Sequence, residues 1–450
     1  MNGLLKIFVD FAKVKGIDSH AYIVGGAVRD IIKGSYEFAN GPKDIDIAIQ
    51  EDAIETAKKF SKEISGSFIL LDRDFGIARV VKDDCYLDIC AMRGETIYTD
   101  LTERDITINA MAIPLKDTYH SPIHPFTNSP NIIDPYKGRD DLRNKIVRMV
   151  SEKNLEDDPL RLLRVYRFAA TLDFSIEPNT LEEVKRLAPM ITTVAAERIA
   201  EELRHILRLD NSFRTVKAMA DDGILHHIFP EIEKSCQEGI LLLYKHTEEV
   251  LNNFSQIFQA AASAPTVGTF SLQRSEEYFE TDYRKICLKL SVVFKETEIA
   301  REAAAKLKMS AKETDFIYKM VLNRLRISKL FEQSRGIPDA TETIRFLKEF
   351  QDDLYPLVIL AVAQTFSGRP SHPIISFCRD ILVYYHKEFL PRLGLLPLIT
   401  GDDLINEFQI KPSPIFKQIL SQIDDMVLEG IIDSREEALK LANEIINNKP

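Results

Sequence analysis

Residues 22–50 read YIVGGAVRDIIKGSYEFANGPKDIDIAIQ, and this stretch decides how the rest of the chain is read. A short apolar run ends in Gly25-Gly26, and the spacing predicts a helix from about Val28. Glycines between a strand and a helix let backbone N–H groups come close to a phosphate. Arg29 follows within the first helical turn, where a guanidinium can reach a phosphate or a ribose. After a loop, Asp44-Ile45-Asp46 opens an alternating apolar segment. Side chains on a strand alternate with period two, so Asp44 and Asp46 are expected on one face. Neighbouring carboxylates repel unless a divalent cation lies between them, and oxygen ligands that also meet substrate phosphates suit Mg²⁺. Taken singly, a Gly-Gly pair is most simply a tight turn and an Asp-x-Asp a solvated strand end. Their order and spacing together favour a phosphate cradle beside a metal-binding pair.

The chain is 450 residues long, enough for several domains. Its formal net charge of −11 argues against non-specific coating of nucleic acid, although a local basic cleft is compatible with it. Five scattered cysteines without a CxxC pattern read as reduced thiols of a cytoplasmic protein, and neither as a disulfide frame nor as a zinc site. No apolar run approaches the roughly 20 residues that span a bilayer, so no membrane partner is expected.

Outward from the opening stretch, residues 3–15 form an amphipathic helix on Leu4, Leu5, Phe8, Phe11 and Ala12. Ala53 to Ile64 is a second helix, followed by the strands GSFILLD, FGIARVV and CYLDICAM, with Lys82-Asp83-Asp84 as a hairpin turn. Asp88 alternates with Leu87 and Ile89. If its strand lies beside DIDIAI it could supply a third carboxylate; the alternative is a solvent-facing Asp on an edge strand. In TERDITINAMAIPL, Arg104, Asp105 and Asn109 can grip a ribose and a phosphate, or simply cap an element as an ion pair.

Beyond about residue 150 the pattern is helical. DDPLRLLRVYRF carries Asp158, Arg161, Arg164 and Arg167 three residues apart, tracking one side of a helix that Pro159 can start. A solvated face with salt bridges is the ordinary explanation. The alternative is a concentration of bidentate donors whose Asp and Arg meet the edge of a nucleobase. Residues 262–280 read as a loop insertion, and Ser434 as an N-cap with Glu437 three residues on.

With these motifs in hand, the chain resembles the class II tRNA nucleotidyltransferases, the family of CCA-adding enzymes and bacterial poly(A) polymerases. The resemblance is carried by GGAVRD at 25–30, DID at 44–46, RDITINAMA at 104–112, DDPLRLLRVYRF at 157–168, ERIAEELRHIL at 197–207 and TGDDL at 400–404. It implies an α+β fold: a small mixed-sheet head over residues 1–142, then a helical neck (143–215), body (216–335) and tail (336–450) that hold tRNA. It further implies that Gly25, Gly26 and Arg29 contact the incoming nucleotide, and that Asp44 and Asp46 hold two Mg²⁺, with Asp88 a further candidate ligand. Arg104, Asp105 and Asn109 would sit at its phosphates and sugar. Asp158 and Arg161 would read the base edge, supported by Arg164 and Arg167.

Three departures bear on the subdivision. The neck motif begins Asp157-Asp158 where the family usually has Glu-Asp. His246 fits the first histidine of a phosphohydrolase-like body, but Lys295-Glu296 stands where related enzymes carry a His-Asp pair. Only RGETIYTDLTE, residues 93–103, separates the Asp88 strand from Arg104. Enzymes that add the whole CCA carry a longer flexible loop there, which helps switch the pocket from CTP to ATP. The leading expectation is therefore a CC-adding enzyme using CTP and working with a separate A-adding enzyme. The rivals are a complete CCA-adding enzyme that also takes ATP, a poly(A) polymerase, an A-adding specialist and a catalytically silent RNA-binding module.

Overall fold

A computed structural model describes residues 3–34, 45–120, 131–231, 237–260, 278–279, 282–336, 339–366, 373–411 and 413–447. Asp44 and nearly all of the 262–280 insertion lie outside the described residues. The chain divides into two compact units, Met1–Pro230 and Glu231–Pro450.

The first unit is built on a six-stranded sheet. Its strands are β1 (Ala21–Val24), β2 (Asp46–Ile49), β3 (Ser67–Asp72), β4 (Ile77–Lys82), β5 (Cys85–Ala91) and β6 (Ala112–Pro114). They lie in the order β3-β4-β5-β2-β1-β6. The sheet is mixed: β2 and β5 run parallel, and the other neighbours antiparallel. The alternation read from the sequence sets the two faces. Ile45, Ile47 and Ile49, with Leu87 and Ile89, bury against α1 (Gly3–Lys15), α2 (Gly26–Lys33) and α3 (Ala53–Glu63). Phe60 of α3 meets Phe8 of α1 edge-on with ring centroids 5.0 Å apart. Ala48 belongs to a smaller cluster on the opposite face, with Ile97 and Leu101 of α4 (Ile97–Thr102). Asp46 and Asp88 alternate with the isoleucines and leucine of the large core, so they share the α4 side.

Helix α2 starts at Gly26, two residues before the predicted start, because Gly25 turns the chain at φ 72°, ψ −140°. That conformation is open to glycine and strained for other residues. The β4–β5 turn is two residues, Asp83-Asp84. Lys82 still pairs with Cys85, and Asp83 takes the positive φ of 54° that such a tight hairpin demands.

Helices follow the sheet: α5 (Gly138–Asn144), α6 (Glu152–Asp157), α7 (Leu160–Leu172), α8 (Pro178–Leu187), α9 (Ala196–Leu207), α10 (Ser212–Asp221) and α11 (Ile224–Ile228). Two short parallel strands, β7 (Ile146–Val147) and β8 (Ser175–Ile176), interrupt them. Pro159 stands at the N-cap of α7. The buried Asn154 on α6 donates to the carbonyls of Thr102 (2.6 Å) and Arg104 (2.7 Å), tying the helices to the sheet domain.

The described part of the second unit is helical. The helix Leu354–Thr365 is buried on all sides from Leu354 to Ala363. His246 lies on the helix Gln237–Asn252, its Nδ1 3.1 Å from the Ala363 carbonyl. Glu296 stands at the N-cap of the helix Thr297–Lys306. Near the C-terminus, Gly401–Phe408, Pro414–Glu429 and Arg435–Asn447 pack around Leu404, Ile419, Ile423 and Val427. Ser434 Oγ accepts from the Glu437 N–H at 3.4 Å.

Candidate active site

A cleft of about 330 Å³ opens on the α4 side of the sheet. It is lined by seven of the residues singled out from the sequence: Asp46, Asp88, Arg104, Asp105, Asp158, Arg161 and Arg164. Asp46 begins β2 and stands in register with Val24 on β1 and Asp88 on β5. The condition set for Asp88 is therefore met, because its strand is the neighbour of the DIDIAI strand. Both Asp88 oxygens are engaged, however, by Arg79 of β4, whose Nε and Nη2 each lie 2.7 Å away.

Gly25 lies behind Asp46. A Cβ added there would fall 3.2 Å from both Asp46 Oδ2 and Arg104 Nη1. The bare backbone thus makes room for a carboxylate and a guanidinium to face one small space. Arg104 is aimed there by the buried Asp100, four residues back on α4, which accepts from its Nε (3.0 Å) and Nη2 (2.9 Å). Burial works against the Arg104 charge, but Asp100, with Cys90 and Asp46, outweighs it and raises its pKa.

Asp105 faces the helical side. Burial tends to raise its pKa, yet Arg164 and the Ile106 N–H hold it below the usual carboxylate range. The Arg164 Nε and Nη2 both reach Asp105 Oδ2 at 2.7 Å. Arg161 donates to the carbonyls of Asn154 (3.1 Å) and Glu103 (2.9 Å). Burial lowers its pKa, while Asp105 and Asp158 partly compensate. Asp158 lies between α6 and α7, 4.0 Å from Arg161 and 2.9 Å from Arg198 Nη2.

The other candidates stand outside the lining. Arg29 donates to Asp30 and, from Nη1 at 3.0 Å, to Asn109 Oδ1. Gly26 lies against the Arg29 guanidinium. Arg167 turns away to Glu202, 2.6 Å from its Nε. Steps of three residues on an α-helix drift by about 60° each, so the third arginine of the row has rotated about 120° from the first. One ring links two of these to the cleft: the guanidinium carbons of Arg29 and Arg167, with that of the cleft residue Arg164, lie 6.0, 4.3 and 5.3 Å from the centre of the Phe168 ring.

The donor set is the test for a divalent cation. Asp46 offers hard oxygen, in the space that Gly25 leaves open, and this suits Mg²⁺. Among the described residues no group of three or more metal-binding side chains converges, and Asp44 lies outside them. Cys90 lines the same cleft, but burial pushes its thiol up to about 12, so it is no nucleophile at neutral pH.

Comparison with known proteins identifies the family to which this cleft belongs. The family model for the poly A polymerase head domain matches residues 21–148, and that for the probable RNA and SrmB-binding site of polymerase A matches residues 173–236. A CC-adding tRNA nucleotidyltransferase of Synechocystis sp. is 32% identical over 429 residues, spanning 94% of this chain and 93% of the relative. The chain belongs to the class II tRNA nucleotidyltransferase family. A CCA-adding enzyme of Streptococcus suis is 25% identical over 445 residues, covering 95% of this chain and 93% of that one. The structure of a CCA-adding enzyme with ATP superposes with a TM-score of 0.71 at 22% identity, covering 98% and 95% of the two chains, so the fold is shared.

Within this nucleotidyltransferase, sequence reasoning passed over several residues that build the cleft. Asp100 stands four residues before Arg104, a helical spacing that was legible in TDLTER. Arg93 donates from Nη1 to the Glu103 carbonyl that Arg161 also uses. Arg79 faces Asp88 across the predicted β4–β5 hairpin, a pairing the hairpin register could have shown, whereas Arg198 reaches Asp158 from a helix 40 positions on, which no local spacing marks. The lining carries Arg93, Arg104, Arg161, Arg164 and Arg198 in a chain whose formal charge is −11. The acidic whole therefore holds an arginine-rich cleft whose five guanidinium charges are balanced by five aspartates, so its lining is formally neutral where the chain is acidic.

Proposed function

We propose that this chain adds two cytidines, from CTP, to the 3′ end of tRNA without a nucleic-acid template, releasing pyrophosphate. The observation that carries the reading is the single cleft holding Asp46, Arg104, Asp105, Asp158 and Arg161. It sits in a chain that is similar over nearly its full length to a CC-adding enzyme. Gly25 and Gly26 admit the triphosphate to the start of α2, with Arg29 and Asn109 as a hydrogen-bonded pair beside it. Arg104 faces the phosphates, and Asp105 is positioned by Arg164 to accept from a ribose hydroxyl. Asp158 and Arg161 present an acceptor and donors to the base edge, so protein groups take the place of a template. Arg167 supports this set through Phe168 and Glu202. Asp44 and Asp46 would hold Mg²⁺, which when bound would supply activation of the primer 3′-hydroxyl and charge neutralisation for the leaving pyrophosphate. The division into head (1–142), neck (143–215), body (216–335) and tail (336–450) is part of the same proposal, the last two holding tRNA.

The restriction to CC rests on residues 93–103. Residues Ile97–Thr102 of this segment form helix α4, closed at its start by a capping box between Thr96 and Thr99. Asp100 on that helix holds Arg104. A short segment committed to a capped helix has little length left for a switching loop, and a separate A-adding enzyme would then complete the tRNA. The test incubates the protein with Mg²⁺, tRNA ending at the discriminator base, and labelled CTP or ATP. Two C additions and no A support the proposal. Completion to CCA replaces it with the full reaction, the reading that the Streptococcus suis relative favours. Long ATP tails reject tRNA-specific addition.

A further inference from the structure

We propose that Arg79 withholds Asp88 from the metal site, so that metal affinity in this chain is set by a strand-to-strand lock as well as by the carboxylates themselves. The inference rests on the metal reading of Asp46 given above. Arg79 and Asp88 are directly opposed partners across the antiparallel β4–β5 pair. One guanidinium meets both carboxylate oxygens at 2.7 Å, a bidentate fork. The Arg79 guanidinium also lies 3.8 Å from the centre of the Tyr86 ring, two residues before Asp88 on the same face of β5. The Asp88 side chain is only 15% exposed.

Asp88 is nevertheless the in-register neighbour of Asp46 on the adjoining strand. By position alone it would complete a carboxylate pair around a cation. A carboxylate has about four lone-pair sites, and the fork takes the two that face a bidentate partner. A dication placed on the remaining sites would stand within a few ångströms of a fixed positive charge in a half-buried cleft, which is unfavourable. Asp88 therefore serves as the counter-charge of Arg79, and releasing it creates an additional ligand.

The test is a double-mutant cycle read by binding of Mn²⁺ alone, followed by electron paramagnetic resonance of the unbound ion. A simple field effect makes Asp88→Asn equally costly whether or not Arg79 is present. The lock makes it costly only when Arg79 is gone. The expected result is a change of less than about twofold for Asp88→Asn in the parent chain, and a loss of about tenfold or more in the Arg79→Leu background. Arg79→Lys keeps the charge but cannot span both oxygens, and should expose the same sensitivity at about fivefold, even if the leucine variant fails to fold. Equal effects of Asp88→Asn in all backgrounds overturn the proposal, as does a loss in the parent chain as large as that of Asp46→Asn. If Asp46→Asn itself leaves Mn²⁺ binding intact, the metal site and the lock fall together, a result distinct from the failure of the lock alone.

Discussion

Arg164 of α7 and Asp105, 59 positions earlier in the chain, are joined by two donors on one oxygen, Nε and Nη2 both at 2.7 Å from Oδ2. This ion pair ties the arginine helix to the segment that follows Arg104, so the two halves of the cleft share one fixed geometry. Asp105 is nearly buried and Arg164 keeps about a third of its side chain in water (6% and 34% exposed).

Removing either partner should therefore cost less than a fully buried pair. Asp105→Asn and Arg164→Ala are each expected to destabilise by about 2 kcal/mol in urea unfolding followed by circular dichroism. The double variant should lose less than the sum. The pH dependence has a definite sign. The folded pKa of Asp105 is depressed, so its contribution is complete above about pH 4 and is lost as pH falls through the lower folded value. The stability gap between the parent and Asp105→Asn should shrink as pH is lowered from about 4. A gap that stays constant as pH falls contradicts the assignment.

Gly25→Ala tests the cradle. The methyl group would meet Asp46 and Arg104 at 3.2 Å on a backbone at φ 72°. The strain amounts to about 1–3 kcal/mol in thermal unfolding. The loss of nucleotide incorporation should exceed what that stability change explains, because the displaced groups are those proposed to hold the metal and the phosphates. A variant with parent-level incorporation would remove Gly25 from the site.

Asp46→Ala and Asp44→Ala should abolish incorporation of labelled CTP while leaving the fold intact. Asp46 is partly exposed at a strand start, so the stability change should stay within about 0.5 kcal/mol. Retained activity in either variant refutes the metal pair.

Arg161→Ala should loosen nucleotide choice more than it weakens tRNA binding. The guanidinium is held by two carbonyls, those of Asn154 and Glu103. The expected fall in the ratio of CTP to UTP incorporation is about tenfold, or about 1.4 kcal/mol. Arg161→Lys should not restore it, since an ammonium cannot replace the planar fork. An unchanged ratio in the alanine variant rules out base reading by Arg161.

In the second unit, Lys289 and Glu248 form a pair 2.9 Å apart with side chains 2% and 5% exposed. Lys289→Met leaves a buried carboxylate without that partner and should cost about 3–5 kcal/mol by urea unfolding. Replacing both with apolar residues should recover most of the loss. If the single and double variants are equally unstable, packing rather than charge governs this position.

Much of this protein was determined by sequence alone. The alternation of Ile45, Ile47 and Ile49 against Asp46 and Ala48 dictated which face of the sheet is apolar, because period-two burial is local. Gly25-Gly26 marked the turn, since only glycine accepts its backbone angles, and Pro159 marked the start of the arginine helix. Only the tertiary structure decided which of the marked residues meet. Strand order made Asp88 the neighbour of Asp46 and then gave both its oxygens to Arg79. Helix rotation kept Arg161 and Arg164 in the cleft and sent Arg167 to Glu202. Arg198 and Asn154 joined the site through packing between distant elements. Local sequence encodes torsion and burial pattern, whereas the partner of each charge depends on which strands and helices come side by side.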